Sequence, residues 1–132
     1  MQTVGLTAIV EKLKLKNLTP EVDMTEIVIT TPNINRPALQ LAGYFDHFAS
    51  DRVQIIGYVE YTYLKHLTAE QRVPIYEKFL SSEIPCVIFS SRTEPDDEFL
   101  RLAIKYNKPL LASEQETSPF MAECIRALST ML

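Results

Sequence analysis

Two short apolar runs in the C-terminal half, Pro85 to Ser90 (PCVIFS) and Pro109 to Ala112 (PLLA), show almost no alternation between apolar and polar residues. A strand with one wet face alternates; one that does not must be covered on both faces. Between the two runs, Pro95 to Tyr106 carries Asp96, Asp97 and Glu98 in its first turn, where acidic side chains favour the positive helix end. Phe99, Leu102, Ala103 and Tyr106 then fall on one helical stripe. Upstream, Val53 to Gly57 (VQIIG) reads as another strand; downstream, Thr117 or Ser118 caps a last helix expected to start at Pro119. Strand, helix, strand, helix in close order requires right-handed crossovers and a parallel sheet. The predicted fold is therefore α/β, three layers α/β/α around a mainly parallel sheet.

The N-terminal half is less regular. Thr7 to Leu13 has Ile9, Val10 and Leu13 at helical spacing, and Glu26 to Thr30 (EIVIT) has the β-branched character of a strand. Asn35 is read as an N-cap, with Pro37 in the first turn and Gly43 ending the helix. Val59 to Leu67 suits a helix, although Tyr61, Thr62 and Tyr63 suit a strand equally. Thr68-Ala69-Glu70-Gln71 has capping-box form, and Pro74 is expected to kink the helix or restart it as Pro74 to Leu80. Lys12, Lys14 and Lys16 alternate with Leu13 and Leu15, the pattern of a solvated edge strand or helix end. The last helix carries Phe120, Met121, Cys124, Ile125, Leu128 and Leu132 on a broad apolar face and ends without a glycine or a basic turn. That ending reads as a cut, with further protein expected beyond Leu132.

A chain of 132 residues is one domain by size and can bury a core without staples. Its net charge of −4 argues against a dedicated nucleic-acid binder, which needs clustered Lys and Arg. No apolar run approaches the length of a membrane span, and no signal-like segment opens the chain. Cys86 and Cys124 both lie in apolar surroundings, as buried thiols of a reducing, cytoplasmic compartment do. With only three glycines, neither G-x-x-x-x-G-K-S/T nor G-x-G-x-x-G is present. His47 and His66 are isolated, so no metal site is expected, and no catalytic constellation is visible.

Two groups of residues carry the remaining signal. Ser90, Ser91 and Arg92 follow a covered strand and precede a helix, where an anion could be held by hydroxyls, guanidinium and backbone N–H groups. Equally, those hydroxyls could simply cap the helix, and Glu94, Asp96 and Asp97 nearby would repel an anion. The second group lies in and just after Ile34 to Gly57: Asn35, Arg36, Tyr44, Asp46, Arg52 and Glu60. Such a mixture builds either a polar docking surface or a salt-bridged corner that fixes a helix on the sheet.

The run Ile34-Asn35-Arg36-Pro37, Leu39, Leu41, Gly43-Tyr44-Phe45-Asp46, then Arg52, Gln54 to Gly57, Glu60 and Tyr63-Leu64, resembles the N-terminal domain of bacterial HPr kinase/phosphorylase. Ile84 to Ile88, Leu102-Ala103, Asn107 to Leu111 and the final helix fit in the same order, so the resemblance spans nearly the whole chain. Ala38 departs from the glycine usual in that family after Arg-Pro. The resemblance implies a single accessory or regulatory domain over residues 1–132, similar in fold to the uridine-nucleotide-binding N-terminal domain of muramoyl-peptide ligases. It implies a parent in which a following phosphate-loop domain, using ATP and Mg, phosphorylates and dephosphorylates a serine of the phosphocarrier protein HPr in carbon catabolite repression. Hexameric assembly through those catalytic domains is implied too. The fragment itself is expected to be non-catalytic and without a cofactor, its partners being its own C-terminal kinase domain and, through the parent, HPr. A small-ligand module for a nucleotide-sugar or phosphorylated metabolite is the other reading.

Overall fold

The computed structural model describes residues 2–132. Its order is β1 (Val4–Gly5), α1 (Leu6–Lys12), β2 (Lys16–Asn17), β3 (Val28–Ile29), β4 (Ile34–Asn35), α2 (Ala38–Leu41), β5 (Val53–Ile56), α3 (Tyr58–Lys65), α4 (Ala69–Leu80), β6 (Val87–Phe89), α5 (Asp97–Lys105), β7 (Leu110–Ala112) and α6 (Thr117–Met131). Five strands form one sheet in the order β2-β7-β6-β5-β4, and β1 pairs separately with β3. All neighbours from β4 to β7 are parallel; β2 runs antiparallel along the β7 edge.

Strands β4 to β7 are added in one direction across the sheet. Right-handed crossovers taken repeatedly in one direction put every connecting helix on the same face. Leu41 of α2, Leu64 of α3, Tyr76, Phe79 and Leu80 of α4, and Phe99, Leu102 and Ala103 of α5 accordingly share one core with Ile56, Val87, Phe89 and Leu110. The opposite side chains of the same strands, Val53, Ile55, Cys86, Ile88 and Leu111, face α1 and α6 in a second core with Leu6, Ile9, Phe120, Cys124 and Leu128. Strand residues alternate between the two faces and both faces are covered, which is why these runs lack hydrophobic alternation.

Several expectations shift in detail. Asn35 does not cap a helix; it belongs to β4, opposite Gln54, and α2 is a single turn starting at Ala38. Gly43, at a φ of 98°, ends that turn in the left-handed region where glycine is favoured. Tyr58–Lys65 is helical, resolving the ambiguity of that stretch. Pro74 neither kinks nor restarts its helix: α4 runs continuously through it. Proline removes the bond to the Glu70 carbonyl, but both residues are exposed, so water can reach the freed oxygen. The reciprocal capping box of Thr68 and Gln71 and the buried Tyr76, Phe79 and Leu80 hold the helix together around it. The last helix starts at Thr117, two residues early, and Ile125 is 40% exposed because Ala127 takes the inward position instead. Lys12 closes α1 and Lys16 lies on the edge strand β2, both solvated.

Both cysteines are free and buried. Burial pushes the Cys124 thiol up to about 12 from 9.0, and raises Cys86 further. A thiol raised on folding contributes stability that is whole below the unfolded value and is lost as pH climbs from about 9 towards about 12. Two outcomes are expected. Neither thiol reacts with a disulfide reagent at pH 8 in the native chain, while both do in 6 M guanidinium (about the concentration that unfolds even hyperstable domains). Pro74→Ala is expected to raise the unfolding free energy by roughly 1–3 kcal/mol in urea titrations, since it restores a helix hydrogen bond.

Candidate functional site

The parallel strands end along one edge, and each is followed there by a small or polar residue: Arg36 past β4, Gly57 past β5, Ser90 and Ser91 past β6, Ser113 past β7. The topology thus brings together two groups that lie far apart in sequence. Arg36 Nε donates to Glu60 Oε2 at 2.8 Å and Arg36 Nη2 to Glu60 Oε1 at 2.6 Å, a bidentate pair. Glu60 Oε1 also accepts the Gly57 backbone N–H at 3.0 Å, satisfying a free donor at the start of α3. The Glu60 side chain is 2% exposed and that of Arg36 is 32% exposed. Arg36 Nη1 reaches the Met121 sulfur of α6 at 3.5 Å, so the guanidinium touches both faces' helices.

Gly57 is where these elements converge. A Cβ there would lie 2.6 Å from Thr117 Oγ1 and 2.8 Å from Arg36 Nη2. The glycine is needed for close approach, its φ of −112° being open to any residue.

Beyond Gly57 the hydroxyls form a chain. Thr117 N–H donates to Ser91 Oγ at 3.0 Å, and Thr117 Oγ1 is 2.8 Å from both Ser91 Oγ and Ser90 Oγ. Ser90 Oγ donates to the Ile56 carbonyl at 3.0 Å. One assignment satisfies everything: Ser91 donates to Thr117, Thr117 to Ser90, and Ser90 to Ile56. Every hydroxyl proton is used within the protein, so an anion at Ser90 and Ser91 would have to break these bonds. Ser91 and Arg92 follow one another at φ of 54° and 58°, turning the chain away from the network. Arg92 instead borders an open groove of about 1000 Å³ with Lys12, Lys14 and Lys16, shared with Glu94, Glu114 and Glu123. The residues Ser90, Ser91 and Arg92 therefore do not converge on one point.

The other residues of the Ile34 to Gly57 block divide. Asn35 Nδ2 donates to Gln54 Oε1 at 2.7 Å, and the fully buried Gln54 donates to the carbonyls of Ala49 at 3.1 Å and Arg52 at 2.8 Å. That side chain holds the loop entering β5, while Arg52 Nη1 reaches the Ile34 carbonyl at 3.4 Å. The Tyr44 and Asp46 side chains are exposed; Tyr44 joins this network only through its backbone carbonyl, which accepts from Gln40 Nε2 at 3.4 Å, while Gln40 Oε1 accepts from Asn35 at 3.3 Å.

Sequence reasoning missed Thr117 and Gly57 as partners of this network. A lone glycine directly after a covered strand was the available signal. It also missed a corner between α4 and α5. There Tyr76 donates to Asp96 Oδ2 at 2.6 Å, and Asp96 Oδ1 caps α5 by accepting Phe99 N–H at 2.8 Å. Arg72 donates to Glu98 at 3.0 Å and to the Leu67 carbonyl at 2.9 Å. Burial keeps the Tyr76 phenol protonated well above its ordinary range, and the hydrogen bond from Arg72 lowers the Glu98 carboxyl. Among the described residues no group of three or more His, Cys, Asp or Glu is placed to hold a metal, and no helix is long and apolar enough to cross a membrane.

The fold and this edge define a class: a parallel α/β domain whose strand ends are closed by an internal ion pair and hydroxyl chain. The family follows from comparison. Residues 4–128 match the model described as HPr Serine kinase N terminus, and the chain belongs to that family. It is 46% identical over 132 residues to the HPr kinase/phosphorylase of Lachnoclostridium phytofermentans, covering all of this chain and 43% of the relative. It is 45% identical over 130 residues to that of Caldicellulosiruptor bescii, covering 98% of this chain and 40% of the relative. The chain therefore spans less than half the length of these relatives. A solved structure, the CBS and DRTGG domains of the regulatory region of Clostridium perfringens pyrophosphatase complexed with the activator diadenosine tetraphosphate, shares the fold. It does so at a TM-score of 0.58 and 17% identity, over 92% of this chain and 45% of that one.

Removing Arg36 leaves a buried carboxylate without its partner. Arg36→Met is expected to cost roughly 3–5 kcal/mol in urea unfolding, and Arg36→Met with Glu60→Gln distinctly less. If the double variant instead equals the sum of the singles, the pair is not coupled. Gly57→Ala is expected to destabilise by about 1–3 kcal/mol through overpacking against Thr117 and Arg36.

Proposed function

We propose that this chain is the accessory, regulatory domain of an HPr kinase/phosphorylase and has no catalytic activity of its own. One observation carries the reading: relatives named HPr kinase/phosphorylase align along 98–100% of this chain but over only 40–43% of their own. The chain's three glycines form no phosphate-binding loop, so phosphoryl transfer falls to the remainder of such a protein. In this reading ATP and Mg bind to that remainder, HPr is met through it, the parent assembles as a homohexamer in the cytoplasm, and the domain described here acts by contact.

The closed strand edge favours a contact role over chemistry, because its hydroxyls and its carboxylate are already engaged. Five exposed large apolar side chains, Leu39, Tyr44, Tyr58, Val59 and Tyr63, cluster in and around α2 and α3 and give a contact role its material.

The reading is tested with this chain and with a full-length relative such as that of Lachnoclostridium phytofermentans. The isolated chain, given ATP, Mg and HPr, is expected to transfer no phosphate to serine. The relative without its first 132 residues (the aligned length) is expected to keep transfer while its response to effectors or inorganic phosphate changes. Serine phosphorylation by the isolated chain, or a truncated relative indistinguishable from the intact one, would count against the proposal.

A further inference from the structure

Among the described residues seven large apolar side chains are exposed, and five of them, Leu39, Tyr44, Tyr58, Val59 and Tyr63, lie on α2, on α3 or just after α2. Between the two helices is a hollow of about 200 Å³. It arises from an unequal pairing of side chains. Small Ala38 and Ala42 line it from the α2 side, bulky Val59 and Tyr63 from α3, and the buried Leu41 and Glu60 lie beneath. We propose that this face is the interface of a symmetric dimer of this chain, with Leu39 of each copy seated in the α2–α3 hollow of the other.

Shape selects a second copy first. About 150 Å³ holds a benzene-sized group, so this hollow takes one branched side chain. Leu39 stands exposed beside it on the same short helix. A symmetric contact needs both hole and knob on one patch, because each copy must supply both. A partner that brought only a knob would leave Leu39 itself uncovered.

Charge points the same way. Pro37 to Phe45 carries no charged residue, in a chain where 23% of residues are charged. On α3, Glu60 is buried in its pair with Arg36, and Lys65 lies over the Tyr61 ring at 4.4 Å. The face therefore selects neither an acidic nor a basic partner. A second copy, although its net charge is also −4, brings no like charge into the contact. Rich in tyrosine and poor in charge, the patch has the composition of an interface core.

Area sets the strength. At roughly 200 Å² per aromatic side chain and less per aliphatic one, five side chains exposed by 41–69% offer on the order of 500 Å². Two copies face to face bury about 1000 Å², the lower bound of a specific interface, so the dimer is weak.

This dimer supplies a partner for the contact role proposed above but needs only this chain, so association can fail here while the truncated relative still behaves as expected there. Sedimentation equilibrium of the isolated chain from about 10 μM to about 1 mM, the span of a weak association, is expected to show a monomer passing to a dimer and no larger species. Leu39→Asp and Val59→Lys, both at exposed positions, are each expected to keep the wild-type circular dichroism and to weaken association about tenfold or more. Mixed in equal amounts, the two variants are expected to associate again. The introduced carboxylate of one then meets the introduced ammonium of the other, while the second half of the interface stays wild-type. In the wild-type chain, dilution is expected to shift amide resonances of α2 and α3 alone, a readout that requires no substitution. A monomer at about 1 mM, association that continues past the dimer, association unchanged in Leu39→Asp, or folded variants whose mixture stays monomeric would each overturn the proposal.

Discussion

The ion pair between Arg36 and Glu60 holds the rest of the strand edge in register. It joins the end of β4 to the start of α3, across β5, and its guanidinium lies against α6. A carboxylate exposed to only 2% is costly to desolvate unless it is fully bonded. Two guanidinium N–H groups and the Gly57 N–H complete that bonding, so the carboxylate is tolerated only in this one arrangement. The arrangement in turn demands a glycine at 57, because Thr117 and Arg36 occupy the space of a side chain. Thr117 then orders Ser90 and Ser91. Ends of three strands and starts of two helices are thus fixed by one chain of mutually dependent contacts.

The direction of strand addition has a second consequence. Four helices fall on one face and two on the other, so the two cores differ in kind. The face of α1 and α6 is aliphatic, closed by Phe120 and two thiols. The face of α2 to α5 is aromatic, with Tyr76, Phe79 and Phe89 each packed against Phe99. Short helices covering a large sheet face meet at corners, and corners need polar clasps. The clasp of Arg72, Asp96 and Glu98 between α4 and α5 is one of these.

The fold was legible wherever burial is two-sided and local. Val53–Ile56, Val87–Phe89 and Leu110–Ala112 announce themselves by apolar runs, and α5 by its acidic start and regular stripe. The two-residue strands β1 and β4 were not legible, because such a pair has no strand pattern of its own and is extended by its neighbour in the sheet; β2 showed only as one of two readings of the alternating Lys12, Lys14 and Lys16. Asn35 was misread because Asn before Arg-Pro has a helix cap's form, whereas a buried Gln54 nineteen residues away recruits it to the sheet. Thr117 was misplaced for the same reason: its hydroxyl is claimed by Ser90 and Ser91, not by its own helix. Half of the candidate site, Arg36 with Glu60, was visible as a possible salt-bridged corner. That the corner also takes in Ser90, Ser91 and Thr117 depends on strand order, which one sequence does not carry.

An open parallel sheet ordinarily leaves its strand ends available, with N–H groups and hydroxyls free for a ligand. Here the strand ends spend those groups on each other. The outcome is a rigid edge with little recognition chemistry to spare, and it leaves recognition to surfaces away from it. One is the exposed apolar surface of α2 and α3, where Leu39 is 61% and Val59 is 69% exposed. A partner that touches this surface therefore meets a helix whose first turn the Glu60 ion pair anchors to the sheet, so contact there can displace only the far turns of α3.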